Sequence, residues 1–171
     1  ICNRANIMNT ESPSGGGMYA IIGKGVGSIS LVDKNVSIAN LNSPSQVIIS
    51  GPEPAVTTEA NHWSKQFKTI KLNVGAAYHT TQMKEGGKIF KKHIDALDVD
   101  VGKAKHMFGN VSGESYPTTK RKVKDILSKH MSSQVNFSEM IKNMYAAGAR
   151  IFVEFGPKAT LGRMVSDILS D

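Results

Sequence analysis

The first half of the chain alternates short apolar runs with clusters of turn-forming residues. The runs are five or six residues long, rich in Val, Ile, Ala and similar types, and bounded by Gly, Asn, Ser or Pro, a pattern that predicts strands. The predicted strands cover residues 18–23, 36–40, 46–50 and 69–74. A helical pattern at 54–67 stands between the last two strands, and Pro54 suits its first turn.

This order of strand, strand, strand, helix and strand predicts a small α+β unit. Its arrangement resembles a ferredoxin-like fold whose first helix is shortened. A short helix end at 2–9 and a Ser/Gly-rich connector at 12–17 precede the unit.

Longer helical patterns dominate the second half of the chain. Helices are predicted at 82–97, 118–131, 137–147 and 159–169, and strands at 105–111 and 150–155. The last strand holds a nearly continuous apolar run, as in strands buried on both faces, and Gly156-Pro157 suits a bend into the final helix. Alternating strands and helices predict a parallel α/β layer, so residues 14–77 read as an insertion in a larger α/β body.

Composition removes several classes of protein. The chain of 171 residues can bury one sizeable core, and no apolar window approaches the roughly 18 residues of a membrane span. Its single cysteine excludes an internal disulfide, and the five scattered histidines offer no zinc spacing. We therefore expect no metal, no membrane contact and a cytoplasmic location. The chain has no secretory signal. Because it lacks an initiator Met and begins in what reads as mid-helix, we also expect it to be a piece of something longer.

The net charge of +7 is concentrated on two predicted helices. The basic residues are Lys84, Lys88, Lys91 and Lys92 on the first helix, and Lys120, Arg121, Lys122 and Lys124 on the second. Two interpretations stay open: a solvated helical face, or attraction to a polyanion such as nucleotide phosphates, an acidic protein or nucleic acid. Aromatic residues are few and not interleaved with the basic ones, which disfavours nucleic-acid binding.

One histidine stands out by its position in the chain. His79 follows an apolar run and two alanines, where a predicted strand ends and a helix is about to begin. An imidazole at such a place can transfer protons near neutral pH, although a structural or solvated role is the common alternative.

Several blocks of sequence occur together in one order. They are Arg4-x-x-x-Met8, Gly17-Met18-Tyr19-Ala20, the stretch 38–51 containing Asn42-Ser43-Pro44-Ser45-Gln46, Ala77-Tyr78-His79, Gly109-Asn110-Val111-Ser112-Gly113 and Val153-Glu154-Phe155-Gly156-Pro157. Together these blocks resemble the malonyl-CoA:acyl-carrier-protein acyltransferase domains of fatty-acid and polyketide synthases. The stretches 129–137 and 144–158 look closest to polyunsaturated-fatty-acid and iterative polyketide synthases.

The resemblance implies an α/β fold with two parts. One is a partial α/β-hydrolase-like parallel-sheet body, and the other is the inserted ferredoxin-like subdomain. Residues 1–13 would then end a helix of the large subdomain and form the connector, residues 14–77 the small subdomain, and residues 78–171 the C-terminal part of the large subdomain.

The resemblance also implies a reaction in two steps. A serine in a Gly-His-Ser-x-Gly elbow takes malonyl from coenzyme A and passes it to the phosphopantetheine thiol of an acyl carrier protein. No cofactor is bound, and the implied partners are malonyl-CoA, the carrier protein and adjacent synthase domains. Because this sequence contains no Gly-x-Ser-x-Gly, we expect the serine upstream of Ile1 and no catalysis by the chain alone.

The family pattern gives roles to individual residues. His79 matches the catalytic base, and His130 aligns where a main-chain carbonyl orients that base, with a helix-surface histidine as the alternative. Arg4 matches the arginine that grips the malonate carboxylate, although the Gly that usually follows it is Ala5 here. Tyr78 is expected to narrow the acyl pocket and favour malonyl over methylmalonyl.

Two further residues and one alternative function complete these expectations. Asn42 and Gln46 are expected to shape the wall of the small subdomain that faces the substrate, although Asn42 equally suits a turn before Pro44. The alternative to an enzyme is a non-catalytic remnant that keeps the fold to dock a carrier protein or to act as a scaffold.

Overall fold

The computed structural model describes residues 2–156 and 158–170. Its helices are α1 (Cys2–Thr10), α2 (Glu53–Trp63), α3 (Lys84–Asp95), α4 (Lys120–Lys129), α5 (Phe137–Ala146) and α6 (Thr160–Leu169). Its strands are β1 (Gly16–Ile22), β2 (Ser37–Ser43), β3 (Gln46–Pro52) and β4 (Lys68–Lys71), and single 3-10 turns lie at Val26–Ser28, Thr81–Met83 and Ala104–His106. The mixed α/β class expected from the sequence is confirmed.

The four strands form one antiparallel sheet in the order β2-β3-β1-β4. In the register of the sheet, Tyr19 of β1 faces Ile49 of β3 on one side and Lys71 of β4 on the other. The order is that of the ferredoxin-like arrangement, and the 3-10 turn at Val26–Ser28 stands where its first helix would be. The shortened first helix was thus predicted correctly.

Apolar side chains cover both faces of this sheet. On one face Ile21, Val47 and Ile49 pack against Val56 of α2, and all four side chains are fully buried. On the other face a second cluster, built on Met18, Ala20, Ala39 and Ile48, packs against Leu72, Val74 and Tyr78. The chain segment that leads from β4 to His79 therefore lies against the sheet rather than in solvent.

A glycine makes this close approach possible. A Cβ atom on Gly16 would lie only 2.3 Å from the backbone nitrogen of Ala77, because the loop passes directly over the start of β1. Only a residue without a side chain fits there. The approach fixes the backbone two residues before His79.

The C-terminal helices pack around the sheet and around each other. Ile7 of α1 meets Met83 and Met131 in a third apolar cluster, and α3 packs against α4. Helices α5 and α6 contact β2, and the Asp167 carboxylate accepts a hydrogen bond of 2.5 Å from the Ser45 hydroxyl. This bond ties the last helix to the turn between β2 and β3.

The strands predicted for a parallel layer are not formed in the part of the chain that the structure describes. At 105–111 there is a single antiparallel bridge, between Phe108 and Ser115. At 150–155 the chain has no strand, and Ile151, Val153 and Phe155 are 86%, 68% and 96% exposed. A strand needs a neighbouring strand to bond its backbone, and these residues find none among those described. Pro157, half of the predicted bend, lies outside the described residues, so the bend stays a prediction.

Other predicted elements form with shifted ends. Strand β4 ends at Lys71 instead of residue 74, although Leu72 still donates a backbone hydrogen bond of 2.9 Å to Met18. Among the described residues no helix has the length and apolar character needed to cross a bilayer. The predicted domain boundaries after residues 13 and 77 stay predictions.

Candidate active site

His79 lies in a loop rather than at the end of a strand. Its backbone has a φ of 60°, in the left-handed region that residues with a side chain adopt at a cost of about 1–2 kcal/mol. The surrounding structure holds this conformation, since the His79 amide donates a hydrogen bond of 3.1 Å to the carbonyl of Met131. Such strain, when the fold maintains it, is common at functional sites.

The imidazole of His79 is oriented by a main-chain carbonyl. Its Nδ1 lies 3.2 Å from the carbonyl oxygen of Ser133. A carbonyl can only accept, so Nδ1 carries the proton and Nε2 is left with a free lone pair. The sequence placed this orienting contact at the main chain of His130; the structure places it three residues later, and the His130 carbonyl makes a smaller contribution. Both belong to the turn that follows α4.

Burial keeps this imidazole neutral. Burial lowers the pKa of His79, the positive charge of Arg4 lowers that pKa further, and the hydrogen bond to the Ser133 carbonyl works in the opposite direction. A neutral histidine with a free Nε2 is in the form that a general base requires.

Arg4 carries an unsatisfied donor and lies within electrostatic range of this histidine. Its Nε atom is buried and has no hydrogen-bond partner, and none of the ion pairs among the described residues includes its guanidinium. Its charge reaches the rings of both His79 and His130, since it lowers the pKa of each. Leaving such a group unpaired is unfavourable, and an anion is one partner that would satisfy both its donors and its charge.

The imidazole of His130 is turned into the protein. Its Nε2 lies 3.0 Å from the hydroxyl oxygen of Tyr116, a residue only 8% exposed. Burial, followed by the charges of Arg4 and His79, lowers the pKa of His130. Tyr116 was not singled out from the sequence, because it lies 14 residues from His130 and no local motif links the two.

Tyr78 stands between two apolar clusters. It packs against the Met18–Ile48 face of the sheet and also against the cluster of Ile7, Met83 and Met131. The residue directly before His79 therefore joins the sheet to the helices. This position is compatible with the expected wall of an acyl pocket and equally with a tyrosine of the core.

The structure brings the side chains of Asn42 and Gln46 together, on the side of the sheet turn that faces α6. The Asn42 amide donates a hydrogen bond of 2.9 Å to Oε1 of Gln46. Gln46 lines a cavity together with Thr160, Arg163 and Asp167, on the side of α6. Their expected role toward a substrate stays a prediction.

The Glu154 carboxylate is held by backbone amides. Glu154 accepts hydrogen bonds from the backbone amides of Thr160 and Gly162, at 3.2 and 2.9 Å, and the Gly162 amide in particular lowers the pKa of that carboxyl. It therefore caps the start of α6. Within 2–156 and 158–170, no three His, Cys, Asp or Glu side chains converge as a metal site would require.

A neutral, oriented imidazole within electrostatic range of an unpaired guanidinium is an arrangement that can accept a proton and can bind an anion. Residues 1–171 match the acyl transferase domain family along the whole chain, and the protein belongs to this family. The resemblance inferred from the motifs is thus confirmed.

Relatives support the same assignment. The chain is 40% identical over 176 residues to a polyunsaturated fatty acid synthase protein of a Thraustochytrium species, covering all of this chain and 6% of that protein. It is 30% identical over 175 residues to the malonyl CoA-acyl carrier protein transacylase of Bacillus subtilis, covering 96% of this chain and 55% of the relative.

A solved structure has the same fold as this chain. The crystal structure of an acyl carrier protein S-malonyltransferase from Vibrio cholerae superposes with a TM-score of 0.88 at 27% identity, covering 98% of this chain and 57% of that one. The present chain therefore spans little more than half the length of this discrete enzyme.

Proposed function

We propose that this chain supplies the base and the carboxylate grip of a malonyltransferase. The enzyme moves malonyl from coenzyme A to the phosphopantetheine thiol of an acyl carrier protein. The observation that carries the proposal is the neutral, oriented imidazole of His79 within electrostatic reach of the unpaired guanidinium of Arg4. Family membership and the names of the transacylase relatives point to the same reaction.

The reaction needs a nucleophile in addition to these residues. The chain contains no Gly-x-Ser-x-Gly elbow, so the proposal assigns the serine to a segment outside this sequence. The 171 residues by themselves are then inactive, and a longer cytoplasmic protein carries the activity. Adjacent synthase domains and the carrier protein are its proposed partners.

His79 then moves one proton in each half of the reaction. As the serine oxygen attacks the thioester carbonyl, Nε2 takes the hydroxyl proton, and the tetrahedral intermediate collapses as the proton passes to the leaving sulfur of coenzyme A. In the second half the proton of the phosphopantetheine thiol moves to Nε2, the sulfur attacks the acyl-serine ester, and the serine oxygen leaves with that proton. The Ser133 carbonyl holds Nδ1–H throughout and stabilises the imidazolium.

Arg4 and Tyr78 are proposed to select the acyl group. A guanidinium meets a carboxylate with two parallel charged hydrogen bonds, each worth about 1.5–3 kcal/mol, so malonyl is held and acetyl is not. The ring of Tyr78 occupies space that a branched acyl chain would need. One methyl group is worth about 1–3 kcal/mol, which makes the exclusion of methylmalonyl a preference rather than a block. Asn42 and Gln46 would act on this selection only through the sheet that carries them.

The test measures covalent labelling of the full-length protein by radioactive malonyl-CoA. His79→Ala is expected to slow formation of the malonyl-enzyme by about 10²- to 10⁴-fold, the usual contribution of a general base. Lys65→Ala, an exposed position, is the matched control and should label normally. Normal labelling of His79→Ala would contradict the base assignment. No labelling of the unmodified protein would favour the non-catalytic, carrier-docking alternative.

A further inference from the structure

We infer that Tyr116 is a positioning residue for His79, acting through His130 and the turn at 130–133. The inference rests on the proposed function of His79 and adds a residue that the family motifs do not include. Three observations carry it: the hydrogen bond of Tyr116, the rigidity of its own support, and the two contacts that the turn makes with His79.

The Tyr116 hydroxyl and the His130 imidazole form a partly buried neutral pair. The oxygen lies 3.0 Å from Nε2, and Tyr116 is 8% exposed. Burial raises the pKa of Tyr116 and lowers the pKa of His130, so both groups are uncharged near neutral pH. A single hydrogen bond then joins the hydroxyl oxygen and Nε2, and breaking it leaves a buried polar atom without a partner.

The Tyr116 side chain is held in one position because its surroundings are closely packed. Its amide donates a hydrogen bond of 2.7 Å to the Met107 carbonyl, and its ring belongs to a cluster with Ala104 and Val123. A Cβ atom on Gly109 would lie 2.9 Å from the ring carbon Cζ, so the absence of a side chain at that position makes room for the ring. The hydroxyl therefore has one defined position.

The turn after His130 holds His79 twice. The Met131 carbonyl accepts the His79 amide at 3.1 Å, and the Ser133 carbonyl lies 3.2 Å from Nδ1. The left-handed backbone of His79 is strained, so it persists only while these acceptors stay in place. The Tyr116 hydroxyl anchors the side chain at the start of this turn. Without that anchor the turn and the imidazole that it orients can move, whereas Arg4 lies on a separate element, α1.

The test uses Tyr116→Phe in the full-length protein, since phenylalanine keeps the ring and removes only the hydroxyl. The rate constant of malonyl-enzyme formation should fall about fivefold, the effect of one hydrogen bond, with the half-saturating malonyl-CoA concentration unchanged within about twofold. The ¹⁵N resonances of the His79 ring should shift as the Nδ1 hydrogen bond changes. Tyr145→Phe, at a tyrosine 42% exposed, is the control and should alter neither.

A double-mutant cycle separates positioning from general loss of packing. His130→Leu removes the partner of the hydroxyl, so adding Tyr116→Phe to it should have no further effect on the rate. His130→Gln, whose amide can still pair with the hydroxyl, should keep most of the rate. If Tyr116→Phe slows the reaction equally when residue 130 is histidine and when it is leucine, the inference is overturned. Unshifted ¹⁵N resonances of the His79 ring in Tyr116→Phe would overturn it as well. Absence of labelling in the unmodified protein would defeat the proposed function instead, and the resonances would still judge the positioning role.

Discussion

The sheet region, residues 16–71, and the helical region after His79 show opposite outcomes for the same kind of apolar pattern. In the sheet region Ile21, Val47 and Ile49 are fully buried, because the strands that they need all lie within the region. In the helical region Ile151 and Phe155 belong to an equally apolar run, yet both are almost fully exposed. An apolar run thus predicts that its side chains favour burial, but a strand forms only where a partner strand is available.

The proposed site lies where the two regions meet. Tyr78 packs on the sheet and on the helices at once, and His79 is held by carbonyls of the turn after α4. Arg4 comes from α1, which packs against α3. The sheet region supplies the apolar face on which Tyr78 packs, and the helical region supplies the carbonyl that orients the His79 imidazole.

The largest expected difference between the regions concerns stability. Ile49→Ala leaves a cavity in the sheet core and should lower the free energy of unfolding by about 2–5 kcal/mol, measured by urea denaturation. Ile151→Ala in the same 171-residue chain should change it by less than about 0.5 kcal/mol, because that side chain is exposed. Equal losses of unfolding free energy in the two variants would contradict this difference between the regions. A larger loss for Ile151→Ala in a longer form of the protein would show that the run is covered there.

A smaller effect is expected at the contact between α6 and the sheet. Hydrogen bonds from the hydroxyls of Ser43 and Ser45 lower the pKa of Asp167. Asp167→Asn removes an acceptor for Ser45 and should destabilise α6 locally by about 1 kcal/mol, seen as faster hydrogen exchange of its amides. Glu114→Gln, at an exposed position, is the control.

The stabilisation that the Asp167 carboxylate provides should be lost at acidic pH. Because the folded-state pKa of Asp167 is depressed, its stabilisation is fully present above the unfolded value of about 3.9 and is lost as the pH falls through the folded value. Protection of α6 that stays constant through this acid range would contradict the assigned contact.

A third effect concerns the ionisation of the two histidines at the junction. The charge of Arg4 disfavours the imidazolium forms, so Arg4→Gln should raise the pKa of His79 and that of His130. The acid limb of the malonyl-enzyme rate should move to higher pH for the same reason. NMR titration of the imidazole resonances measures both values, with Arg150→Gln as the control, since that guanidinium lies over the ring of Tyr145. An unchanged His79 pKa would place Arg4 outside the site.

The smallest effect is expected on the basic surface of α3. Lys88 pairs with Glu85, and Lys91 pairs with Asp95 and Asp125, so part of its positive charge is already neutralised. If this face steers an acidic carrier protein, replacing Lys88 and Lys91 by glutamate should slow transfer to the carrier a few-fold at low salt and less at high salt. The matched control replaces Lys24 and Lys65, two exposed lysines of the sheet region. Equal rates would favour the solvated-face interpretation.

The sequence predicted the sheet region well because its signals are local. Turn residues such as Asn42 and Pro44 and the short apolar runs between them are adjacent in the chain, and they set the strands and the β2–β3 hairpin. The two predicted strands at 105–111 and 150–155 failed for the opposite reason. The apolar run at 150–155 is present in the sequence, but the pairing that makes a strand depends on distant residues.

The site was predicted in part, by motif rather than by pattern. Arg4, His79 and His130 were named from family blocks, and the structure brings their charges within reach of one another. The carbonyl of Ser133 was not named, because a main-chain acceptor leaves no mark on residue type. Tyr116 was missed because its contact with His130 arises from tertiary packing.

The most direct test of the account compares malonyl with acetyl transfer in Arg4→Ala of the full-length protein. If the guanidinium grips a carboxylate beside His79, the malonyl rate should fall about 10- to 100-fold, corresponding to one or two charged hydrogen bonds, while the acetyl rate stays within about twofold. Equal losses for both acyl groups would contradict the pairing of a base with a carboxylate grip on which the account depends.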